Sequence, residues 1–509
     1  MSARGLMVLG TSSHCGKSLL AAGLCRALHR AGIRVAPFKA QNMSNNAAVT
    51  DEGGEIGRAQ ALQARACGLA PRHMMNPVLL KPTGQRTSQV VVNGRVAGVT
   101  SARDYHALAR SLRHEATAAY DRLAAEFDVI VLEGAGSCAE LNLDWDFVNL
   151  AMARHARADA LLVGDIDRGG IFAQLIGTLS LLAPEDRALV RATIINKFRG
   201  DLELLDTART IIESRTGIPL AGVLPYLDGL LLDEEDSLGI PSAIPPAPPI
   251  CAIHGAGGTA WPPAAAPPGV AAIEIAVLRL PSISNFTDLT VLLREPDVRL
   301  RFVDPRRGDP IETADVVILP GSKNTIADLM LLRETGYDAR LSARAEAGAE
   351  IVGLCGGMQM LGTMLCDAQG IEHRGETPGL GLLRIRTTWA PEKMLAIVRG
   401  RHNTLESGFV GYEIHCGRTE SEGEAALLET EDGRPIGWGR ERIWGTYVHG
   451  LFDEPELRHA WLRRLRLRKG LLPEIARTPY SVERELDRLA DAIAEALTLP
   501  GEWNEWIRQ

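Results

Sequence analysis

The stretch VLGTSSHCGKSLLAAGL, residues 8–24, decides the fold of the N-terminal region. An apolar run ends at Gly10, a turn of small and polar residues follows, and Gly16-Lys17-Ser18 opens a helical segment. Such a strand, glycine turn and helix form an anion site. Backbone amides and the helix N-terminus face the phosphates, Lys17 adds charge and the Ser18 hydroxyl can ligate Mg²⁺. The usual loop has four residues between its glycines. Here five residues, Thr11 to Cys15, separate Gly10 from Gly16. Gly10, Thr11, Gly16, Lys17 and Ser18 are the candidate ATP-binding residues.

Working outward, "IRVAPFKA" (33–40), "FDVIVLEGAG" (127–136), "ADALLVGDID" (158–167) and "ATIINKF" (192–198) each read as a buried strand. Helical patterns lie between them, the longest at 101–127, where Ser101 is placed to cap. Strand–helix alternation predicts a parallel sheet covered on both faces, with ligands beyond the carboxyl ends of the strands. Gly10, Glu133, Asp165 and Asn196 fall at such ends. Glu133 is a candidate Mg²⁺ ligand with Ser18, and Asn196 can edge an adenine base. Asp51 and Glu55 in "TDEGGEIGRAQ" (50–60) are further metal or phosphate-proximal candidates. Asp165, Asp167 and Arg168 in "GDIDRGGIF" (164–172) are candidates for contacting substrate.

Residues 241–268 hold nine of the chain's 28 prolines and mark a linker. Beyond it, "AEIVGLCGGMQMLG" (349–362) runs a short apolar strand into Cys355, two glycines and a helix. This is a nucleophile elbow with cysteine in place of serine. The Gly356 amide can reach a developing oxyanion, and "VVILPGSKNTIADL" (316–329) can supply a second donor near Gly321. The thiol needs a proton shuttle. His449 in "GTYVHGLFD" (445–453) and His415 in "GYEIHCGRT" (411–419) both qualify, and spacing does not rank them.

The bulk numbers fit this reading. A chain of 509 residues exceeds one ordinary domain. A net charge of −8 argues against a nucleic-acid binder. The eight cysteines form no C-x-x-C pair, so a disulfide framework or zinc site is not expected, and a reducing cytoplasm is the expected setting. The N-terminus does not read as a signal peptide, and the apolar stretch at 169–183 is too short to span a membrane and reads as a buried helix. The basic run "RRLRLRK" (463–469) reads as the solvated face of a C-terminal helix rather than a membrane patch. Nothing signals an oligomeric state.

The lengthened phosphate loop together with "VLEGAG" (131–136) resembles dethiobiotin synthetase-like P-loop proteins, which implies phosphoryl transfer to a substrate carboxylate. The second region resembles class I glutamine amidotransferase domains. That resemblance selects Cys355 and His449 as the catalytic pair. Many such domains carry Glu two positions after the histidine, where this chain has Leu451. Both regions in this order, with "PFKAQNMSNNA" (37–47), "MNPVLLKP" (75–82) and "INKFRGD" (195–201), resemble the cobyric acid synthase family over nearly the whole chain.

The resemblance implies an α/β architecture. A P-loop NTPase-like domain would span 1–240, a linker 241–269, a class I glutamine amidotransferase-like domain 270–455 and a helical C-terminal segment 456–509, both sheets being mostly parallel. It implies ATP, Mg²⁺ and glutamine as cofactor and cosubstrates, and amidation of the b, d, e and g carboxylates of adenosylcobyrinic acid a,c-diamide, a corrinoid. Cobyrinic acid a,c-diamide synthase shares the architecture and is the alternative. A ParA- or MinD-like regulatory ATPase would explain the loop, but it predicts a lysine where Thr11, Ser12 and Ser13 stand and leaves Cys355 and His449 without a role.

Overall fold

The computed structural model describes residues 3–83, 87–101, 103–140, 146–227, 229–230, 232, 272–474 and 481–508. The chain divides into two units, Met1–Glu235 with Tyr480–Gln509, and Asp236–Pro479. The proline-rich segment 241–269 lies outside the described residues.

The first unit is built on six parallel strands, in the order Leu220–Pro225, Val190–Phe198, Asp159–Asp165, Arg4–Gly10, Val129–Glu133 and Val35–Phe38. Their Val, Ile, Leu and Ala runs are buried on both faces, as helices on each side require. Register sets the functional edge: Val8 pairs with Glu133, Gly10 with Val163 and Asp165 with Asn196, so the polar residues ending these strands gather at one end of the sheet. The helix expected from Ser101 begins a turn later, at Tyr105, because Ser101 Oγ donates to Asp104 Oδ2 (2.6 Å) in the turn before it. The stretch at 169–183 forms a helix, Ile171–Leu181, that buries Ile171, Leu175 and Leu179 and exposes Leu181. A small sheet of Gln41–Met43, Val78–Pro82, Thr87–Val92 and Arg95–Ser101 adds a feature the alternation did not announce.

In the second unit, five parallel strands run in the order Val298–Val303, Ile273–Leu278, Val316–Leu319, Glu350–Leu354 and Ile443–Thr446. The sheet then continues antiparallel through Pro435–Arg440, Ala426–Thr430 and a long ribbon, Ile385–His402 with Ser407–Ser421.

The helical segment 456–509 is not one tail. Pro455–Arg468 belongs to the second unit, where Leu457, Trp461, Leu462 and Leu465 join its core. Val482–Ala496 and Glu502–Ile507 belong to the first, where Leu486, Leu489 and Ile493 pack with Leu20, Leu24 and Leu28 of the helix after the phosphate loop. Gly23 makes room for this contact, since a Cβ there would lie 2.3 Å from Ile493 Cδ1. Arg26–Asp487 (2.8 Å) and Arg30–Asp491 (2.6 Å) flank it. The basic run 463–469 is likewise no solvated face. Arg466 is fully buried on Asp297 (2.6 and 2.8 Å), and Arg464 and Arg468 reach the buried carboxylate of Glu350 (2.7 and 2.9 Å). Buried acids on neighbouring elements turn these arginines inward, a pairing that charge pattern alone does not reveal. Among the described residues no helix is long and apolar enough to cross a membrane.

Candidate active sites

In the first unit the strand Arg4–Gly10 delivers the chain to the loop, and Gly16 begins the helix Lys17–Arg30 at φ 98°. Gly10 is needed for space: a Cβ there would sit 2.6 Å from Cys15 Sγ and 2.8 Å from Lys17 Nζ. Within the lengthened loop His14 adopts φ 59°. Two side chains from the end of the Val190–Phe198 strand hold that part of the loop. Asn196 Nδ2 donates to the Cys15 carbonyl (2.9 Å) and Lys197 Nζ to the His14 carbonyl (2.6 Å). Asn196, expected at a base edge, thus has its amide N–H committed to the loop backbone. Lys17 Nζ donates to the carbonyls of Ser12 (2.8 Å) and Gly136 (2.7 Å), and Thr11 Oγ1 to Gln174 (3.1 Å).

Ser18 and Glu133 come together as expected. Glu133 Oε1 accepts from Ser18 Oγ (2.7 Å) and Lys39 Nζ (2.8 Å); Oε2 accepts from Gln63 (2.7 Å) and Gln60 (3.2 Å). Burial alone would push this carboxyl up, but the Lys39 ammonium, with Ser18 and Gln63 donating, holds it below its ordinary range. Asp51 is not brought to this pair; it is exposed in the turn between Ala47–Val49 and Glu55–Gly57. Glu55 is buried against Lys81 (2.6 Å), which commits it to an ion pair. Asp165 is buried and accepts from Lys197 (2.9 Å) and the Asp167 amide (2.9 Å), so it supports the loop. Arg168 is 58% exposed and 3.9 Å from Asp165, and Asp167 faces Arg199 at 3.4 Å. Among the described residues no group of three or more His, Cys, Asp and Glu side chains is arranged to hold a metal.

In the second unit Cys355 stands between the strand Glu350–Leu354 and the helix Gly356–Leu361, at φ 51°, ψ −108°. A non-glycine residue in this region is strained. Small neighbours allow it: a Cβ on Gly353 would meet Met358 Cα at 2.6 Å, and one on Gly357 would meet the Leu319 carbonyl oxygen at 1.9 Å. The Cys355 amide bonds the Thr446 carbonyl (2.8 Å), placing the elbow beside the strand that leads to His449. The two candidate oxyanion segments also converge. A Cβ on Gly356 would lie 2.9 Å from the Ser322 amide nitrogen, and one on Gly321 3.5 Å from His449 Cε1.

His449 is buried, interacts with Cys355 through its side chain, and stacks on Tyr412 at 5.3 Å. Its Nδ1 lies 2.6 Å from Asp288 Oδ2, and Asp288 Oδ1 accepts from the Gly450 amide (3.0 Å). Burial disfavours the charged ring, but Asp288 and then Cys355 outweigh it and push His449 up to about 10. Leu451, two positions after His449, is buried in the core. His415 is occupied elsewhere: Nδ1 faces the Gly417 carbonyl (2.7 Å), Nε2 faces Glu413 (3.1 Å), and its ring lies on Tyr447 at 3.5 Å. Geometry therefore separates the two histidines that spacing left level.

Sequence reasoning missed Lys39, Gln60, Gln63, Lys197 and Asp288. Lys39 follows a strand at the same sheet edge as Glu133, which is a usable signal. Gln60 and Gln63 share the helix Arg58–Ala66 at a spacing that puts them on one face. Asp288 lies 161 residues from His449, and nothing local marks it.

Residues 274–457 match the CobB/CobQ-like glutamine amidotransferase domain family, and residues 6–238 the CobQ/CobB/MinD/ParA nucleotide binding domain family. Proteins named cobyric acid synthase are similar along nearly their whole length. That of Pelotomaculum thermopropionicum is 47% identical over 98% of this chain and 95% of its own. Those of Nitratidesulfovibrio vulgaris and Methylobacterium nodulans are each 46% identical, over 97% and 96% of this chain and 96% of each relative.

Proposed function

Because the chain belongs to the cobyric acid synthase family, we propose that it amidates the b, d, e and g carboxylates of adenosylcobyrinic acid a,c-diamide with ATP and glutamine. The observation that carries this is the presence of two different sites on one chain: Lys17, Ser18 and Glu133 at a phosphate loop, and Cys355 with His449 at an elbow.

A carboxylate does not react with ammonia unaided, because its oxygen is a poor leaving group. At the first site, phosphoryl transfer from ATP to the carboxylate would yield an acyl phosphate and ADP. Lys17 and the helix N-terminus would balance the phosphate charge. The residues present fit Mg²⁺. Ser18 and Glu133 would hold the ion through oxygen, the donor type it prefers, and Gln63 Oε1 is buried beside them without a hydrogen-bond partner. The ion would supply charge neutralisation on the phosphates.

At the second site the Cys355 thiolate would attack the glutamine amide carbon, with the oxyanion facing the Gly321 and Gly356 segments. His449 would give its proton to the departing nitrogen, leaving a thioester and ammonia. Water would hydrolyse the thioester to glutamate. Ammonia would displace phosphate from the acyl phosphate and form the amide.

The test is mass spectrometry of the product from adenosylcobyrinic acid a,c-diamide, ATP and glutamine. A gain of four amides is expected. No change with this substrate, but conversion of cobyrinic acid, would assign the chain to the related diamide synthase instead.

A further inference from the structure

We propose that Asp288 is the positioning residue for His449, the acid that completes the glutamine site from a distant segment in place of position 451. The proposal rests on the reading of Cys355 and His449 as a glutamine-hydrolysing pair.

A carboxylate accepts hydrogen bonds and donates none, so its contact with Nδ1 requires that nitrogen to carry a proton. Nε2 is then the nitrogen left for proton exchange with Cys355. Asp288 uses both oxygens. Oδ2 faces Nδ1 at 2.6 Å, and Oδ1 takes the amide of the next residue, Gly450, at 3.0 Å. One carboxylate thus fixes both the ring and the backbone that carries it. Acid and ring are almost fully buried, at 4% and 2% side-chain exposure, so water does not compete for either.

The segment bearing Asp288 also reaches the candidate oxyanion strand. Ile283–Ser284 pairs antiparallel with Gly321–Ser322, and the Lys323 amide donates to the Ser282 carbonyl (2.8 Å). Asn285, at φ 50°, turns the chain into the short helix Phe286–Arg294 that presents the acid. A single stretch, 282–288, therefore both carries the acid that meets His449 and borders the candidate oxyanion segment.

Among the described residues, four titratable side chains bear on the ring: Asp288 from this segment, Cys355 from the elbow, Tyr412 stacked on it, and His415 from the same ribbon strand as Tyr412. Asp288 is the carboxylate among them. Its charge keeps His449 protonated at neutral pH, ready to donate to departing ammonia.

The experiment measures glutamine hydrolysis by the full chain, with ATP and corrinoid present, for wild type, Asp288→Asn and Asp288→Glu across pH. The two donors face different oxygens of Asp288, and asparagine replaces one of those oxygens by an NH2 donor, so either Nδ1–H or the Gly450 amide then faces a donor. For Asp288→Asn, kcat is expected to fall on the order of 100-fold, the scale of a misplaced acid–base group. KM should change by less than about threefold, since uniform binding is untouched. The alkaline limb of kcat/KM, near pH 10 in the wild type, should move toward neutrality in Asp288→Asn, and Asp288→Glu should restore part of kcat and of the limb. An Asp288→Asn protein with wild-type kcat, or an unmoved alkaline limb in both variants, would overturn the positioning role while leaving the glutaminase reading intact. A wild-type protein that hydrolyses no glutamine would overturn that reading and the proposal with it.

Discussion

Replacing Lys39 by Met keeps the aliphatic stem and deletes the charge that faces Glu133. In the native chain the pair is 2.8 Å apart, with side-chain exposures of 4% and 1%. Removing one member of such a pair strands a buried charge and costs about 3–5 kcal/mol. Ser18, Gln60 and Gln63 still donate to the carboxylate, which argues for the lower end. For a unit of this size each kcal/mol moves the melting temperature by about 2–4 °C, so a cost of about 3 kcal/mol should melt the first unit roughly 6–12 °C lower at pH 7.5. The pH dependence has a definite sign. Glu133 is held below its ordinary range in the native protein, so its contribution is present above the unfolded carboxyl range and is lost as pH falls through the depressed folded value. Without Lys39, burial dominates and the carboxyl moves up. The variant can then relieve its cost by binding a proton, and the gap to wild type should narrow toward pH 5. Differential scanning calorimetry of variant and wild type from pH 5 to 8 reads both quantities. A shift under about 2 °C, or one constant across pH, would refute the assignment of Lys39 as the counter-charge of Glu133.

Cys355→Ser should abolish glutamine-dependent amidation and spare synthesis with added ammonium salts, as product mass spectrometry would show; loss of both would remove the division of labour between the sites. Gly357→Ala places a Cβ 1.9 Å from the Leu319 carbonyl oxygen, a backbone atom with little freedom to move. It should destabilise the second unit by about 3 kcal/mol, near the top of the usual overpacking range, and calorimetry would detect it. Asn196→Ala removes the 2.9 Å bond to the Cys15 carbonyl. It should weaken ATP binding by about 1 kcal/mol, roughly fivefold in Kd by titration calorimetry, without altering glutamine hydrolysis.

The phosphate loop and the elbow were legible because each concentrates its requirements locally. Gly10, Gly16 and Lys17, or Cys355 with Gly356 and Gly357, fall within a few residues of one another, and their spacing states the backbone geometry. Partners joined only by the fold were not legible. Asp288 meets His449 because two distant segments close on each other, and Leu451 at the usual acid position gives no hint of a substitute. Asp51 and Glu55 show the opposite failure: two acids near a site in sequence, one exposed at a turn and the other committed to Lys81. The basic run 463–469 misled for a related reason, since its buried partners Asp297 and Glu350 lie far from it in the chain.

The return of Val482–Ala496 to the helix Lys17–Arg30 makes the second unit an insertion within the first. During synthesis the face of that helix carrying Leu20 and Leu24 waits for residues made last, so the nucleotide unit matures only after the glutamine unit has been translated. The two units are also covalently linked twice. A protease cut anywhere in 233–271 divides the chain into two polypeptides, and the C-terminal one, carrying the whole second unit, then stays with the first through the packing of Val482–Ala496 on Lys17–Arg30.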